Sequence, residues 1–253
     1  MSMNEINIVM KDNYQKIDGK PIVLVGLPGT GLVGLISALH LIDSLEMDYV
    51  GYIESRQFPP VVLIHDSELA LPLRIYQKGK FLVLISEISV PTEPETAYDL
   101  ADKLTKWAKD LDPQYTIIMR GHPAQNRISI DKPTCYGLGT TAALNNMVEE
   151  NECDIMEHGI ITGVDALIFW KNSNLKIPTI TLATDAYPNL PDPGAAAVLI
   201  EKLNVILDID VDPSKLLENA EDLRLKMRDM MRSTSQQQAQ MQNKEIQLPP
   251  MYG

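Results

Sequence analysis

The sequence predicts an α/β domain in which helices cover both faces of a largely parallel β-sheet. Pro21–Val25 is a continuous apolar run, which is typical of a strand buried on both faces. Strand-like segments of this kind alternate with helix-like segments along the chain, and that alternation is the pattern of α/β folds. No repeat or low-complexity linker interrupts residues 1–212, so we expect this part of the chain to form one core domain.

The first third of the core combines one helix with five strands. A glycine-rich turn follows the first strand and leads into an amphipathic helix at about residues 32–45. Residues 49–53 form the next strand. Three further strand-like segments come in quick succession, and residues 77–80 join the last two as a hairpin; the segments are residues 61–65, 70–76 and 81–86.

Helix starts in the rest of the chain are marked by capping residues and prolines. Thr92–Glu95 is a capping box with proline in the first turn, and it begins a helix that runs to about residue 111. Asp192-Pro193 and Asp212-Pro213 each combine an aspartate N-cap with proline at the first helical position. They begin a helix at residues 195–207 and the C-terminal helix. The remaining elements are strands at residues 115–119 and 179–184 and a helix at residues 140–150.

The C-terminal helix carries an apolar seam that repeats every seven residues. Its members follow one another at alternating spacings of four and three; they are Leu216, Ala220, Leu223, Met227 and Met230. The seam either packs on the helix's own domain or forms a surface for self-association. It ends near residue 233, where serine, threonine and glutamine take over. We therefore divide the chain into an α/β/α core (1–212), a C-terminal helical segment (213–243) and a flexible tail (244–253).

The charge balance excludes several classes of partner. The net charge is -12, which argues against binding to nucleic acid or to an anionic membrane. Residues 213–253 hold six Lys/Arg against five Asp/Glu, so residues 1–212 carry about -13 of the total. The first twelve residues lack the basic start and apolar stretch of a signal peptide. We expect a soluble cytoplasmic protein with two free bystander thiols, Cys135 and Cys153.

The loop Gly29–Gly34 is the main indication of a nucleotide-binding enzyme. It matches the G-x-G-x-x-G pattern between a predicted strand and a predicted helix, and Glu54 ends the second strand, where an acid would bind a ribose. The loop lacks the Lys-Ser/Thr pair of a P-loop, and the strands after Glu54 form a hairpin instead of alternating with helices. A nucleotide or nucleoside site is therefore one interpretation. A tight turn that lets a helix pack closely on the sheet is the other, and we favour it.

The other candidate side chains do not form a catalytic or metal-binding pattern. Glu87 and Asp185 come just past strand ends, where α/β proteins often place catalytic acids. Acidic residues are also common at helix starts, and we favour structural roles for both. No cysteine or histidine at ligand spacing accompanies the four histidines, so we expect no metal site at His40, His65, His122 or His158.

The C-terminal residues have the properties of a docking peptide. Pro249-Pro250 stiffens the chain as polyproline II, so that less conformational entropy is lost on binding. A hydrophobic residue, a tyrosine and one last residue follow as Met251, Tyr252 and Gly253. This arrangement matches the motif that proteasome activators and assembly chaperones insert into pockets of the 20S outer ring. About 2% of chains would end this way by chance, given 9 tyrosines in 253 residues and roughly half apolar residues.

Three blocks of the core resemble the proteasome assembly chaperone 2 family, in its archaeal type. They are Gly26–Gly34, Ser55–Pro60 and Pro191–Ala197, and the last is followed by a helix, by Val-Asp-Pro and by a helix rich in leucine, alanine and glutamate. Together the blocks cover about residues 20–225 in the family's order. The resemblance implies a three-layer α/β/α sandwich related to purine nucleoside phosphorylases, but without their catalytic residues.

The resemblance also implies homo-oligomerisation and binding to 20S proteasome α subunits through the C-terminal motif, here Met251, Tyr252 and Gly253. We therefore expect a non-enzymatic proteasome assembly chaperone or ATP-independent activator-like factor that needs no cofactor. The alternatives are a nucleotide- or nucleoside-binding enzyme that uses the glycine loop, and a scaffold whose C-terminal helix binds another protein. Assembly, gate opening and adaptor recruitment stay open, as does the number of subunits.

Overall fold

The computed structural model describes residues 6–65, 67–90, 93–225, 227, 228, 230, 232 and 236. The strands are β1 (Asn7–Met10), β2 (Ile22–Gly26), β3 (Asp48–Glu54), β4 (Leu63–His65), β5 (Glu68–Ala70), β6 (Leu73–Lys78), β7 (Phe81–Ser86), β8 (Tyr115–Pro123), β9 (Cys135–Gly139), β10 (Asp154–Ile155) and β11 (Thr179–Ala186). The α-helices are α1 (Val33–Ser44), α2 (Pro94–Leu111), α3 (Ala142–Glu150), α4 (Gly163–Asn174), α5 (Pro193–Leu207) and α6 (Ser214–Glu218). Short 3₁₀ helices cover Thr30–Leu32 and Arg127–Ser129.

Nine of these strands form a central sheet in the order β1-β3-β6-β7-β2-β8-β11-β9-β10, and β4 and β5 form a separate two-stranded ribbon. The four central strands, β7, β2, β8 and β11, run parallel to one another. Antiparallel strands extend the sheet on one side through β6, β3 and β1, and on the other side through β9. This arrangement confirms the predicted α/β fold class.

Helices cover both faces of the sheet and make two apolar layers. Side chains alternate along β2, so that Ile22 and Leu24 face one layer while Val23 and Val25 face the other. The first layer contains buried side chains of α1, α3, α5 and α6, and the second contains those of α2 and α4. All five residues of β2 are buried, which accounts for its continuous apolar sequence.

Most predicted elements lie near their predicted bounds, and the predicted hairpin joins β6 to β7. The sequence does not predict β1, β9, β10 or α4. β9 reads Cys-Tyr-Gly-Leu-Gly, and its two glycines weaken the pattern of a strand. α4 does have a start signal in the sequence, since its N-cap is Thr162 and Asp165 follows at the spacing of a capping box, but the Thr162 side chain makes no cap hydrogen bond and the helix is not among the predicted elements.

The predicted helix starts are partly correct. Asp192 caps α5 as predicted, because its carboxylate accepts a hydrogen bond of 3.0 Å from the Ala195 amide. The prediction for Asp212 is displaced by one residue, since Pro213 is the N-cap of α6 and Asp212 accepts from the Ser214 amide at 2.9 Å. Thr92 of the predicted capping box lies outside the described residues, and α2 begins at Pro94.

The apolar seam of the C-terminal helix packs on the core. Leu216 and Met227 are buried in the layer formed by α1 and α5, and Leu223 and Met230 pack against the same cluster. Residues 220–225 continue as helix beyond α6. This packing supports the first of the two interpretations of the seam. The domain boundary at residue 212 stays a prediction, and the predicted tail (244–253) lies outside the described residues.

Candidate functional site

The predicted proteasome-binding residues Met251, Tyr252 and Gly253 lie outside the part of the chain that the structure describes. Their assignment stays a prediction from the sequence. The structure does describe the glycine loop, the acids at the strand ends, the histidines and the cysteines, and it decides which of them come together.

The glycine loop between β2 and α1 folds as a buried 3₁₀ turn. Thr30, Gly31 and Leu32 are all buried, and the Leu32 amide donates to the Gly29 carbonyl at 3.0 Å. Gly31 and Leu32 have left-handed backbone conformations, with φ values of 61° and 51°. Glycine adopts this conformation without steric cost, which explains the residue at position 31.

Two of the three motif glycines allow other parts of the protein to come close. A Cβ atom at Gly34 would overlap the carbonyl oxygen of Met119 in β8, and one at Gly31 would lie 2.8 Å from the Ala186 Cβ. The Gly31 carbonyl also accepts a hydrogen bond of 2.8 Å from the Asp192 amide. Only Gly29 of the three has open space within 4 Å. The close neighbours of Gly31 and Gly34 are main chain and small side chains of the protein itself, which supports the interpretation as a tight turn.

Glu54 does not lie beside the glycine loop. It ends β3, and β6 and β7 separate that strand from β2. With strands about 4.8 Å apart, Glu54 is roughly 14 Å across the sheet from the loop. In a dinucleotide-binding fold the strand with the ribose-binding acid is the direct neighbour of the strand before the loop. The two halves of the predicted nucleotide site are therefore not brought together.

Glu87 and Asp185 also lie apart, and each has a partner of its own. β2 and β8 separate their strands, β7 and β11, which excludes a shared carboxylate pair. Glu87 forms a salt bridge with the buried Arg74, and His65 lies 3.3 Å from the same carboxylate. Asp185 accepts hydrogen bonds from the Thr134 amide at 3.3 Å and the Tyr136 hydroxyl at 3.4 Å. These contacts agree with the structural roles favoured for both acids.

A buried ion pair that the sequence does not predict holds the loops next to the glycine turn. Arg127 donates from Nε and Nη2 to the two carboxylate oxygens of Asp192, at 2.8 and 3.2 Å. Asp192 is 1% exposed and also accepts from the Tyr187 amide at 3.1 Å. The Asp-Pro signal identifies Asp192 as a helix cap, but no local pattern identifies Arg127, which lies 65 residues away.

Arg120 of β8 and Asp165 in the first turn of α4 interact electrostatically. Burial raises the pKa of Asp165 to about 6, and the charge of Arg120 acts in the opposite direction. Burial also lowers the pKa of Arg120. Among the described residues, neither Arg120 Nη1 nor Asp165 Oδ1 has a hydrogen-bond partner. The sequence gives no sign of this pair, because Asp165 lies in a helix that the sequence does not predict.

The histidines are dispersed and have ordinary contacts. His40 Nε2 donates to the Asp212 carbonyl at 2.7 Å, and the His122 ring packs against the tilted ring of Tyr136 with the ring centroids 5.2 Å apart. No group of three or more His, Cys, Asp or Glu side chains suited to a metal ion occurs within the described part of the chain. Cys135 and Cys153 are both free and buried, as expected for thiols in the core, and their sulfur atoms touch one another, which the sequence does not predict.

Two surface features could receive a ligand or a partner. A cleft of about 390 Å³ lies between α1 and the C-terminal helix, with His40, Asp43, Lys215 and Asp222 among its lining residues. The ribbon of β4 and β5 presents an apolar face, since Ile64 and Leu69 pair across it and are 73% and 76% exposed. Within the described residues, no helix is both long enough and apolar enough to cross a membrane.

Comparison with known sequences identifies one family over most of the chain. The model of the PAC2 family matches residues 23–231. The protein MJ0106 of Methanocaldococcus jannaschii is 26% identical over 232 residues, which are 92% of each chain. These matches confirm the resemblance seen in the three sequence blocks.

Solved structures with the same fold include two from Pyrococcus furiosus. PbaA, described as an archaeal homolog of proteasome-assembly chaperone, is 28% identical with a TM-score of 0.83, over 91% of this chain and 98% of PbaA. PbaB, described as an archaeal proteasome activator, is 23% identical with a TM-score of 0.74, over 90% of this chain and 99% of PbaB. At that identity the likeness to PbaB shows a common fold.

Proposed function

This chain belongs to the PAC2 family, and we propose that it acts as a proteasome assembly chaperone or an ATP-independent activator-like factor that binds the α ring of the 20S proteasome. The observation that carries the proposal is the similarity to PbaA, a homolog of proteasome-assembly chaperone, over nearly the whole of both chains. The net charge of -12 fits a protein whose partner is neither nucleic acid nor an anionic membrane. A cytoplasmic location stays part of the same prediction.

The geometry of the glycine loop supports a binding function over an enzymatic one. Gly31 and Gly34 contact protein atoms directly, and Glu54 lies three strands away from them. Glu87 and Asp185, the other candidate acids, are held by separate partners. The interpretation as a nucleotide enzyme therefore loses the residues on which it depended.

We propose that the chain reaches the α ring through Met251, Tyr252 and Gly253. A tyrosine supplies a large apolar surface with one polar tip, and a terminal carboxylate can pair with a cation in the pocket. A motif of three residues binds weakly alone. Several tethered copies raise the apparent affinity by roughly 10²–10⁴ if they can dock at the same time, so the proposal requires a homo-oligomer.

The ribbon of β4 and β5 is the surface that we assign to this oligomer. Ile64 and Leu69 lie side by side on one face, and Val62, two residues before Ile64, is 56% exposed. An isolated two-stranded ribbon is marginally stable in water, and contact with a second copy would bury its apolar face. Ile64→Glu should lower the oligomer size by light scattering, whereas Leu225→Glu, at another exposed leucine (58%), should not.

Native mass spectrometry of the full chain with purified 20S particles, and separately with α rings, tests the function. We expect complexes of defined stoichiometry with at least one of the two. A chaperone should accelerate assembly from separate subunits, whereas an activator should increase peptide hydrolysis by the mature particle. Complexes with neither target would refute the proposal. An increase in melting temperature with ATP, NAD or a purine nucleoside would favour the enzyme. A ligand present at 100 times its Kd stabilises the folded protein by about 2.7 kcal/mol.

A further inference from the structure

The two cysteines of the chain meet in the core at the edge of the sheet. Cys135 is the first residue of β9, and Cys153 directly precedes β10. Their side chains are almost fully buried, at 4% and 3% exposure, and their sulfur atoms lie 3.1 Å apart. Eighteen positions of sequence separate them, so the contact is produced by the fold and not by local geometry.

The strand register places the two cysteines directly opposite each other. β9 and β10 are parallel, with Asp154 opposite Tyr136 and Ile155 opposite Gly137. One step back along both strands, the same register brings Cys153 opposite Cys135. Neighbouring parallel strands lie about 4.8 Å apart, and their paired side chains point to the same face. That separation falls within the Cα–Cα range of about 4.4–6.8 Å in which a disulfide forms without backbone movement.

The surroundings favour a reaction that starts at Cys153. The hydrogen bond with Cys135 lowers the pKa of Cys153, and the same contact, together with burial, raises the pKa of Cys135. The Lys202 ammonium, bonded to Glu152 at 3.3 Å, also favours the Cys153 thiolate. Glu152 is exposed and precedes Cys153, and β10 has only two residues. Short edge elements open locally at low free-energy cost, which gives a small oxidant a route to the sulfur.

We propose that Cys135 and Cys153 form a reversible intramolecular disulfide when the protein meets a peroxide. The Cys153 thiolate attacks one oxygen of hydrogen peroxide, the O–O bond breaks, and a sulfenic acid and hydroxide result. The Cys135 sulfur then attacks the Cys153 sulfur and the S–O bond breaks. The second oxygen leaves as water with the proton of the Cys135 thiol, and the proton that Cys153 released on forming its thiolate neutralises the hydroxide. Two thiols and one peroxide thus give one disulfide and two waters.

The disulfide would fasten the edge of the sheet around α3. It would tie the start of β9 to the start of β10 and close a loop that contains the whole of α3. Closing a loop of this kind restricts the unfolded chain and so stabilises the folded one. This inference does not depend on the proposed function, because it concerns the core of the protein and not the surface or residues that would bind a proteasome.

Counting free thiols tests the proposal. Reduced full-length protein is treated with hydrogen peroxide, the peroxide is removed with catalase, and the protein is unfolded and alkylated with iodoacetamide. We expect two alkyl groups on untreated protein and none on treated protein, since the chain has two cysteines. A protease that cleaves after glutamate separates the cysteines at Glu149, Glu150 and Glu152, so the disulfide should appear as a linked peptide pair that dithiothreitol splits.

Several outcomes would overturn the proposal: two alkyl groups after treatment, sulfinic acid without a linked pair, or a covalent dimer. A melting experiment provides a second measurement. The oxidised protein should melt several degrees higher than the same sample after dithiothreitol, which reduces disulfides but leaves methionine sulfoxide in place. Cys135→Ala and Cys153→Ala should lose this reversible shift. If these variants do not fold, the effect of dithiothreitol on the oxidised wild-type protein still decides, and no effect would refute the proposal.

Discussion

Gly34 in α1 packs directly on the carbonyl oxygen of Met119 in β8, with no side chain between helix and strand. The contact has a counterpart two residues further along β8, where a Cβ at Gly121 would overlap the Thr30 carbonyl oxygen. A glycine of α1 thus packs on the main chain of β8, and a glycine of β8 packs on the main chain of the turn before α1. The 3₁₀ turn, whose three residues are all buried, begins at the second contact with Thr30 and leads into the helix that makes the first.

Gly34→Ala should destabilise the fold by about 2 kcal/mol or more, because the added methyl group meets main chain that cannot rotate away. Urea denaturation measures the change. Gly29→Ala is the matched control, since nothing lies within 4 Å of its Cβ position, and it should change stability by less than about 1 kcal/mol. Equal stability of wild type and Gly34→Ala, with loss of a nucleotide-dependent thermal shift, would favour a ligand-binding loop instead.

The glycine motif shows what a sequence pattern can and cannot predict. The pattern predicts a strand, a tight turn and a helix, and β2 and α1 are found there. It does not predict which strand lies beside β2, because that depends on how the later hairpin inserts. β6 and β7 enter the sheet between β3 and β2, and this insertion separates Glu54 from the loop. Sheet order is a property of distant pairing, which no local motif encodes.

Asp192→Asn should cost about 3 kcal/mol, because it leaves the buried guanidinium of Arg127 without a counter-charge. The double variant with Asp192→Asn and Arg127→Met should lose less stability than the sum of the losses in the two single variants. A double-mutant cycle measured by urea denaturation gives the difference. Asp112→Asn provides the control. Asp112 pairs with Lys20 at 2.8 Å but its side chain is 75% exposed, so this change should cost less than about 1 kcal/mol. Additive effects at Arg127 and Asp192 would contradict this account.

Stability should fall with rising pH through the titration of Asp165. Its pKa is raised to about 6 in the folded protein and is about 3.9 in an unfolded chain, so the folded state binds the proton more tightly. The stabilisation is complete below about pH 4 and is lost as the pH rises through 6, by roughly 3 kcal/mol in total. The unfolding free energy of wild type minus that of Asp165→Asn should therefore fall between pH 4 and 7.

The companion variant for this experiment is Arg120→Met. Arg120 favours the ionised form of Asp165, so its removal should raise the pKa of Asp165 in the folded state and extend the decline in stability to higher pH. A difference between wild type and Asp165→Asn that does not change with pH would show that the carboxyl group titrates alike in the folded and unfolded states.

Adjacent leucines in α6 separate packing on the core from self-association. Leu216→Ala should cost about 2–4 kcal/mol, because this side chain is 4% exposed and packs with α1 and α5. Leu217→Ala should stay within about 0.5 kcal/mol, since Leu217 is 57% exposed. Urea denaturation gives both values, and light scattering gives the oligomer size. If Leu217→Ala dissociates the oligomer without lowering stability, the exposed face of this helix and not the ribbon forms the interface between copies.

The buried acids show that a sequence pattern predicts the local contacts of a side chain but not its distant partners. The Asp-Pro pair identifies the cap at Asp192 correctly, because a cap acts within a few residues of itself. The partners of Asp192 and Glu87 come from other elements, as Arg127 and Arg74. The sequence around a charged residue therefore predicts its local role, such as a helix cap. The oppositely charged partner can be identified only from the fold, because it lies on another element.

Tyr252→Ala should weaken binding to the 20S α ring by about 2 kcal/mol or more per docked copy, which is roughly 30-fold in Kd. The reason is that the variant loses an aromatic anchor that a closed pocket would bury. Adding one residue after Gly253 should weaken binding too, because both the carboxylate and the tyrosine move out of register. Gln247→Ala, in the same segment but outside the motif, is the matched control and should bind like wild type. All three variants should keep the wild-type melting temperature and oligomer size. If native mass spectrometry shows that the Tyr252 variant binds with wild-type affinity, the binding surface lies on the acidic core and not on the tail.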